Sequence, residues 1–272
     1  WGGIYLANGG EMAYTEVRYA GAGWGRTAAV EVAQGSHFSA HNATFYHNSN
    51  AIAVVGNAVE TVTAIELTDC TLKDNNGAGV YAGTPGQHSV TVDNSLFSGN
   101  GTGIWVQNAS SPQHATIRNS LFTVNSTGIS VENASGGVYA SVFATNTVGL
   151  AMTGQMVYAV QDNRFTGNQQ PLHMGATGVQ LAFQNNTIEN NTVNAIKLLG
   201  NVNSDWTWVE YANLPYYLET NLSVASGVTL TVAPGVVVKA REGVYGYAWP
   251  YVAASHMPVS YTHLTLPTSD LV

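Results

Sequence analysis

Short apolar alternations punctuate the chain at a coarse, regular interval. Seven of them are AIAV (51–54), GVYA (79–82), GIWV (103–106), GISV (128–131), GLAM (149–152), PLHM (171–174) and AIKL (195–198). In each, the second and fourth residues are apolar, as with Ile52 and Val54 or Ile104 and Val106, while the third varies freely. Alternation of this kind over so few residues predicts strands with one buried face. A second set, SVTV (89–92), HATI (114–117), YAV (158–160) and VQLAF (179–183), lies between them. Helical periodicity and helix start signals are absent.

Between the two sets runs a third signal. An apolar anchor recurs at Phe45, Leu72, Phe97, Phe122, Phe143, Phe165 and Ile188, with spacings of 27, 25, 25, 21, 22 and 23 residues. Three residues after each anchor stands asparagine without exception: Asn48, Asn75, Asn100, Asn125, Asn146, Asn168 and Asn191. Three residues before stand Asn42, Asp69, Asn94, Asn119, Ala140, Asp162 and Asn185, with Ala140 the one departure. The phrase NSLFSGNGTGIWV (94–106) and its near copy NSLFTVNSTGISV (119–131) show the block at its most regular.

One residue type held at one phase of such a period predicts the coil of a parallel β-solenoid. Each coil would lay three short strands about 4.8 Å above those of its neighbour. Corners between strands call for positive φ, which Asn and Gly tolerate. Asparagines stacked coil upon coil can pass amide hydrogen bonds along a ladder, about 1 kcal/mol each, and the phenylalanines can stack beside them. A β-sandwich, with turns every 8–12 residues or so, would not demand the same residue at the same phase seven times. The predicted fold is therefore all-β, a single-stranded parallel β-helix of about eight coils of roughly 21–28 residues. Residues 1–200 form this stack, 201–213 break the period as a connector, and 214–258 begin a second module.

Composition narrows the function classes. Only 9% of the 272 residues are charged, and the net charge is −8 with eight Lys plus Arg in all. Nucleic-acid binding needs clusters of those cations, so it is set aside. No apolar run reaches the length needed to span a membrane. One cysteine, Cys70, excludes an internal disulfide and a cysteine-based zinc site. The first residue is Trp1, and residues 259–272, VSYTHLTLPTSDLV, resemble a translated sequencing adaptor, so they are kept out of the fold reading and the chain is read as a fragment of a longer one.

The opening WGGIYLANGGEMAYTEVRYAG and the later LPYYLETNLSVASGVTLTVAPGVVVKA (214–240) resemble the bacterial secreted right-handed parallel β-helix proteins, the pectate-lyase-like superfamily in its broad sense. The first looks like the entry into a coil stack and the second like the start of a new one. The resemblance implies right-handed coiling, an extracellular or cell-surface location and further β-helix modules in the same chain. Function does not follow from it, because the fold carries lyases, hydrolases, epimerases and adhesins alike.

Candidate chemistry lies at outward positions. One outward column reads Glu31, Ala53, Tyr81, Trp105, Ser130, Ala151, His173, Lys197. Tyr81 and Trp105, one coil apart, would offer aromatic faces on a flat ridge suited to sugar rings. Another column includes Asp93, Arg118, Tyr139 and Gln161, with Glu66 and Thr91 alongside. The resemblance implies that a lyase would use an arginine such as Arg118 as base with an acid such as Asp93, but the paired calcium-binding acids of such enzymes are missing; an exposed ion pair is the plainer reading. Hydrolases need two or three carboxylates on one face, which the chain lacks. His37, His41 and His47 have no metal-ligand spacing, and no metal or cofactor is expected. The reading favoured is a scaffold that binds a polysaccharide or cell-surface glycan or acts as an adhesin; a polysaccharide lyase or glycoside hydrolase with its site partly elsewhere is the alternative.

Open strand edges at the ends of a cut solenoid favour association. Residues 1–258 expressed alone are expected to self-associate, and a monomer at every concentration in light scattering would count against this.

Overall fold

The computed structural model describes residues 2–21, 25–56, 61–107, 113–175 and 178–241, and the backbone of 246–248. The adaptor-like residues 259–272 lie outside them. The described residues form a parallel solenoid without helices, wound from three sheets. Sheet I has 11 strands, from Ile4–Leu6 to Val238–Ala240; sheet II has eight, from Gly10–Ala13 to Gln180–Gln184; sheet III has eight, from Glu16–Arg18 to Thr187–Glu189. The chain visits the sheets in turn, so each visit to all three completes one coil.

Every predicted anchor falls in a single column of sheet III. Phe45 pairs with Leu72, then come Phe97, Phe122, Phe143, Phe165 and Ile188 in unbroken parallel register. The phenylalanine rings lie face to face along the axis: Phe97–Phe122 at 4.9 Å and 9°, Phe122–Phe143 at 5.0 Å and 11°, Phe143–Phe165 at 4.6 Å and 5°. Glycines make room for them. A Cβ on Gly103 would stand 2.9 Å from the Phe122 ring and 2.4 Å from the Gly128 carbonyl oxygen, and one on Gly128 would meet Phe143 the same way. The Gly of GIWV and GISV is thus the space the next ring occupies.

The asparagine ladder is complete. Nδ2 of Asn48, Asn75, Asn100, Asn125, Asn146 and Asn168 each donates to Oδ1 of the asparagine one coil on, at 2.8–3.1 Å. The same Oδ1 also accepts the backbone N–H of the ladder residue below, as in Asn75 N to Asn100 Oδ1 at 3.1 Å. The second amide hydrogen goes to an anchor carbonyl, as in Asn100 Nδ2 to Leu72 O at 2.9 Å. The seven asparagines are buried, and Asn191 ends the run by donating to Asn194 Oδ1 within its own turn.

The corner role expected of these asparagines belongs to their neighbours. Positive φ occurs one residue earlier, at His47, Asp74, Gly99, Val124, Thr145, Gly167 and Asn190, and at the position three before each anchor, from Asn42 (49°) to Asn185 (52°). Ala140 stops being an anomaly: that corner needs the left-handed backbone (its φ is 46°) rather than an amide. There the Asn and Asp residues add an outer set of bonds, such as Asn94 Nδ2 to Asp69 Oδ1 and Asn185 Nδ2 to Asp162 Oδ1 at 3.1 Å, while Asn119 Nδ2 donates to Asp93 Oδ1, one residue before the corner, at 2.8 Å.

A second buried ladder stands two residues before the anchor. Cys70 N donates to Ser95 Oγ, Ser95 N to Ser120 Oγ, Ser120 N to Ser141 Oγ, and Ser141 N to Asn163 Oδ1, at 2.9–3.1 Å. In the repeated phrase, Asn94 makes the corner, Ser95 the second ladder, Phe97 the ring stack and Asn100 the first ladder.

Sheets II and III stop after their eighth strand, while sheet I runs on through Tyr216–Leu218 and Val238–Ala240. Residues 201–213 contribute the strand Trp206–Trp208, paired with Leu230–Val232. Trp208 stacks on Tyr216 at 5.0 Å and meets Trp206 edge-on, an aromatic layer under the last coil.

Asn100→Val keeps the volume but strands the Leu72 carbonyl, the Asn75 amides and an Asn125 lone pair. It is expected to lower stability by about 1–3 kcal/mol in urea unfolding; an unchanged midpoint would make the ladder dispensable.

Candidate functional site

Sheet I sets its outward column by register alone. Tyr5, Glu31, Ala53, Tyr81, Trp105, Ser130, Ala151, His173, Lys197, Tyr217 and Lys239 pair in that order. The column divides into three parts of different chemistry.

At its start Glu31 is buried, because its carboxylate accepts Arg26 Nη1 and the Thr27 backbone N–H, both at 2.6 Å. Arg26 also lies 4.7 Å over the Tyr5 ring. This acid closes a turn and is not open to a ligand.

In the middle stand Tyr81 and Trp105, register partners with ring centroids 5.4 Å apart. Their planes meet at 83°, so the ridge is a wedge rather than the flat surface expected. The edge of one ring against the face of the other is the quadrupole-favoured contact. Gly83 fixes the wedge: a Cβ there would come 2.7 Å from Cζ of Tyr81. Trp105 remains 36% exposed, and its Nε1 donates to Gln107 Oε1. Gln107 and Glu132 are register partners, as are Trp105 and Ser130, so an amide, a carboxylate and a hydroxyl share the wedge's side of the sheet.

At the far end His173 shares a hydrogen bond with Gln170 Oε1, and Lys197 pairs with Glu219. Burial, and then the neighbouring Lys197 charge, push the His173 pKa down to about 4. The imidazole is neutral at physiological pH.

Asp93 and Arg118 are register partners on sheet II, as the pattern predicts. No ion pair joins them: the Arg118 guanidinium lies 4.3 Å from the centre of the Tyr139 ring, and Asp93 accepts from Asn119. The exposed ion pair expected there is replaced by a cation–π contact and a corner bond. Among the described residues no group of three or more His, Cys, Asp or Glu could hold a metal ion. His37 and His41 instead face Glu66 and Glu11, both at 3.3 Å.

Two features escaped the sequence reading. Tyr14 and Tyr19 occupy the two positive-φ corner phases of the first coil (51° and 56°) and are exposed. Tyr19 stacks on His47 at 5.6 Å, and Tyr46 beside them is pinned by Arg18 and Glu16, both at 2.7 Å. The signal was Tyr three before and two after Val17, in a coil where Ala20 replaces the ladder asparagine. The other is an open groove of about 980 Å³, lined by Gln155, Gln180, Asp205, Thr207 and Thr229 among others, where sheet II ends. It lies away from the wedge, and its one carboxylate, Asp205, accepts the Thr229 N–H at 2.7 Å.

A family model described as a right-handed β-helix region matches residues 83–212. That segment is a right-handed β-helix. No curated protein and no solved structure gave a significant match to the chain. The matched residues begin within coil four and run past coil eight, so they hold Trp105 and the Asp93–Arg118 pair, while Tyr81 stands two residues before them. The β-helix fixes the scaffold and leaves the chemistry to the side chains on it.

His173 is protonated near pH 6.5 when unfolded and only near 4 when folded. The unfolded chain thus binds more protons between those values, and stability should fall as pH drops from 6.5 to 4. His173→Gln should flatten that part of a melting-temperature profile against pH; an unchanged slope would show that the buried imidazole does not govern it.

Proposed function

We propose that this β-helix is a non-catalytic scaffold, secreted or held at a cell surface, that binds a glycan at the Tyr81–Trp105 wedge. The observation that carries the reading is the wedge itself. An indole stands exposed on the sheet face, braced at right angles by a tyrosine and held by Gln107. The apolar face of a pyranose ring stacks on such an aromatic, while Ser130, Gln107 and Glu132 are placed for its hydroxyls.

Adhesive proteins and display scaffolds need length and rigidity, which the continuous ladders supply. The lyase reading has only Asp93 and Arg118 to rest on, and both are engaged in coil-to-coil contacts.

On a glycan array, Trp105→Ala is expected to weaken retention about tenfold, equivalent to about 1.4 kcal/mol, with Tyr81→Ala weaker in effect. Arg118→Ala should leave binding unchanged. Retention that survives both aromatic substitutions would remove the wedge from consideration. Release of unsaturated uronates that is lost in Arg118→Ala would replace the scaffold reading with the lyase.

A further inference from the structure

The outer face of sheet III carries a pattern that neither the ladders nor the glycan wedge uses. Two outward columns flank the buried anchors, one residue before and one after. In the middle three coils the first column is Leu96, Leu121 and Val142, and the second is Ser98, Thr123 and Ala144. No formal charge stands in this central stretch. Leu121 is 38% exposed, and Val124 at the adjoining corner is 62% exposed. Isolated exposed leucines need no explanation. Here Leu121 is flanked in its column by the half-buried Leu96 and Val142 on the coils to either side, so the three form one aliphatic strip.

Charges lie toward the two ends of the face, and each end carries both signs. The first coil presents Glu16 and Arg18, 3.5 Å apart and both more than half exposed. The seventh and eighth present Arg164 and Glu189, 2.9 Å apart. Lys73, in the third coil, lies over the Tyr46 ring on the side of the first end. Lys73 apart, whose counterpart in the sixth coil is Ala144, the charges are disposed about the line between the fourth and fifth coils, where Leu96 and Leu121 meet.

We propose that sheet III is a self-complementary face through which two copies of this chain pair with antiparallel solenoid axes. A two-fold axis along the strands, between the coils of Phe97 and Phe122, sets coil four over coil five and coil one over coil eight. Leu96 then faces Leu121 of the second copy, and Ser98 faces its Thr123. At each end Arg18 faces Glu189 of the second copy, while Arg164 of that copy falls one coil from Glu16. Such an isologous contact closes on itself and stops at the dimer.

The strip spans eight coils at about 4.8 Å each and is about 10–15 Å wide, so the dimer would bury about 1,000 Å² in total. That is the lower end of specific interfaces and implies a weak, concentration-dependent dimer. Sheet I is a different face of the prism, so both wedges would stay open in the pair.

Sedimentation equilibrium of the full chain from about 1 to 200 μM tests the proposal. The wild type is expected to follow a monomer–dimer equilibrium. Leu121→Glu should weaken it at least tenfold, while Val157→Glu, an equally added charge on sheet II, should not. Arg18→Glu and Glu189→Arg should each weaken pairing, and the double variant should restore it. Both positions are outward, so unchanged melting curves will separate lost pairing from lost fold. A wild type that is monomeric throughout overturns the proposal. So does a monomer–dimer step that Leu121→Glu leaves intact, and so does a failed restoration in the double variant.

Discussion

The structure depends on a buried side-chain amide that has every hydrogen-bonding group satisfied. In a typical ladder position such as Asn100, Nδ2 gives one hydrogen to the next asparagine and one to the anchor carbonyl of the coil below, while Oδ1 receives both the amide and the backbone N–H of the asparagine below. No shorter or longer side chain meets all four partners from the same backbone position. An unsatisfied buried amide is costly, so each coil is forced into the register of the one before it. The ring stack and the glycine column follow, because rings that share a register share a spacing of 4.6–5.0 Å and need the Cβ-free backbone beside them.

This constraint acts inward and leaves the outside free. Position 105 and its register partners can be Trp, Tyr, Ser, Ala, His or Lys without touching the ladder, and they are. That freedom is why the fold is so readable and the function so little. It is also why the outward columns are the right place to look for chemistry: whatever is written there is not there for stacking.

The anchors, the first ladder and the Tyr81–Trp105 pairing were all legible because each depends on phase, and phase survives in sequence. The serine ladder was not, since its column mixes Cys70, Ser95, Ser120, Ser141 and Asn163, alike only in placing a small acceptor near a backbone N–H. The separation of corner from ladder was hidden too. Asn serves a positive-φ position at Asn94 and a purely hydrogen-bonding one at Asn100, and one letter cannot say which. The angle between Tyr81 and Trp105 depends on rotamers and on Gly83, which pattern cannot supply. Sheet I continuing past the connector was hidden because residues 201–213 change their alternation while Tyr216–Leu218 resumes the old column.

The outer face of sheet III follows from the same logic. A column that must hold Phe inside leaves its two neighbours outside, so NSLF exposes its Leu because it buries its Phe. When such a phrase is repeated on adjacent coils, the outward residue repeats with it, and a stripe arises about 4.8 Å per step. Repetition driven by the core therefore makes ordered surface arrays whose spacing is set by backbone hydrogen bonding. An array of leucines and an array of sugar-stacking aromatics are two uses of one device, and which surface side chains break the repeat shows where a coil has been put to a use of its own. Tyr14 and Tyr19 in the first coil, and Trp105 in the fifth, are such departures.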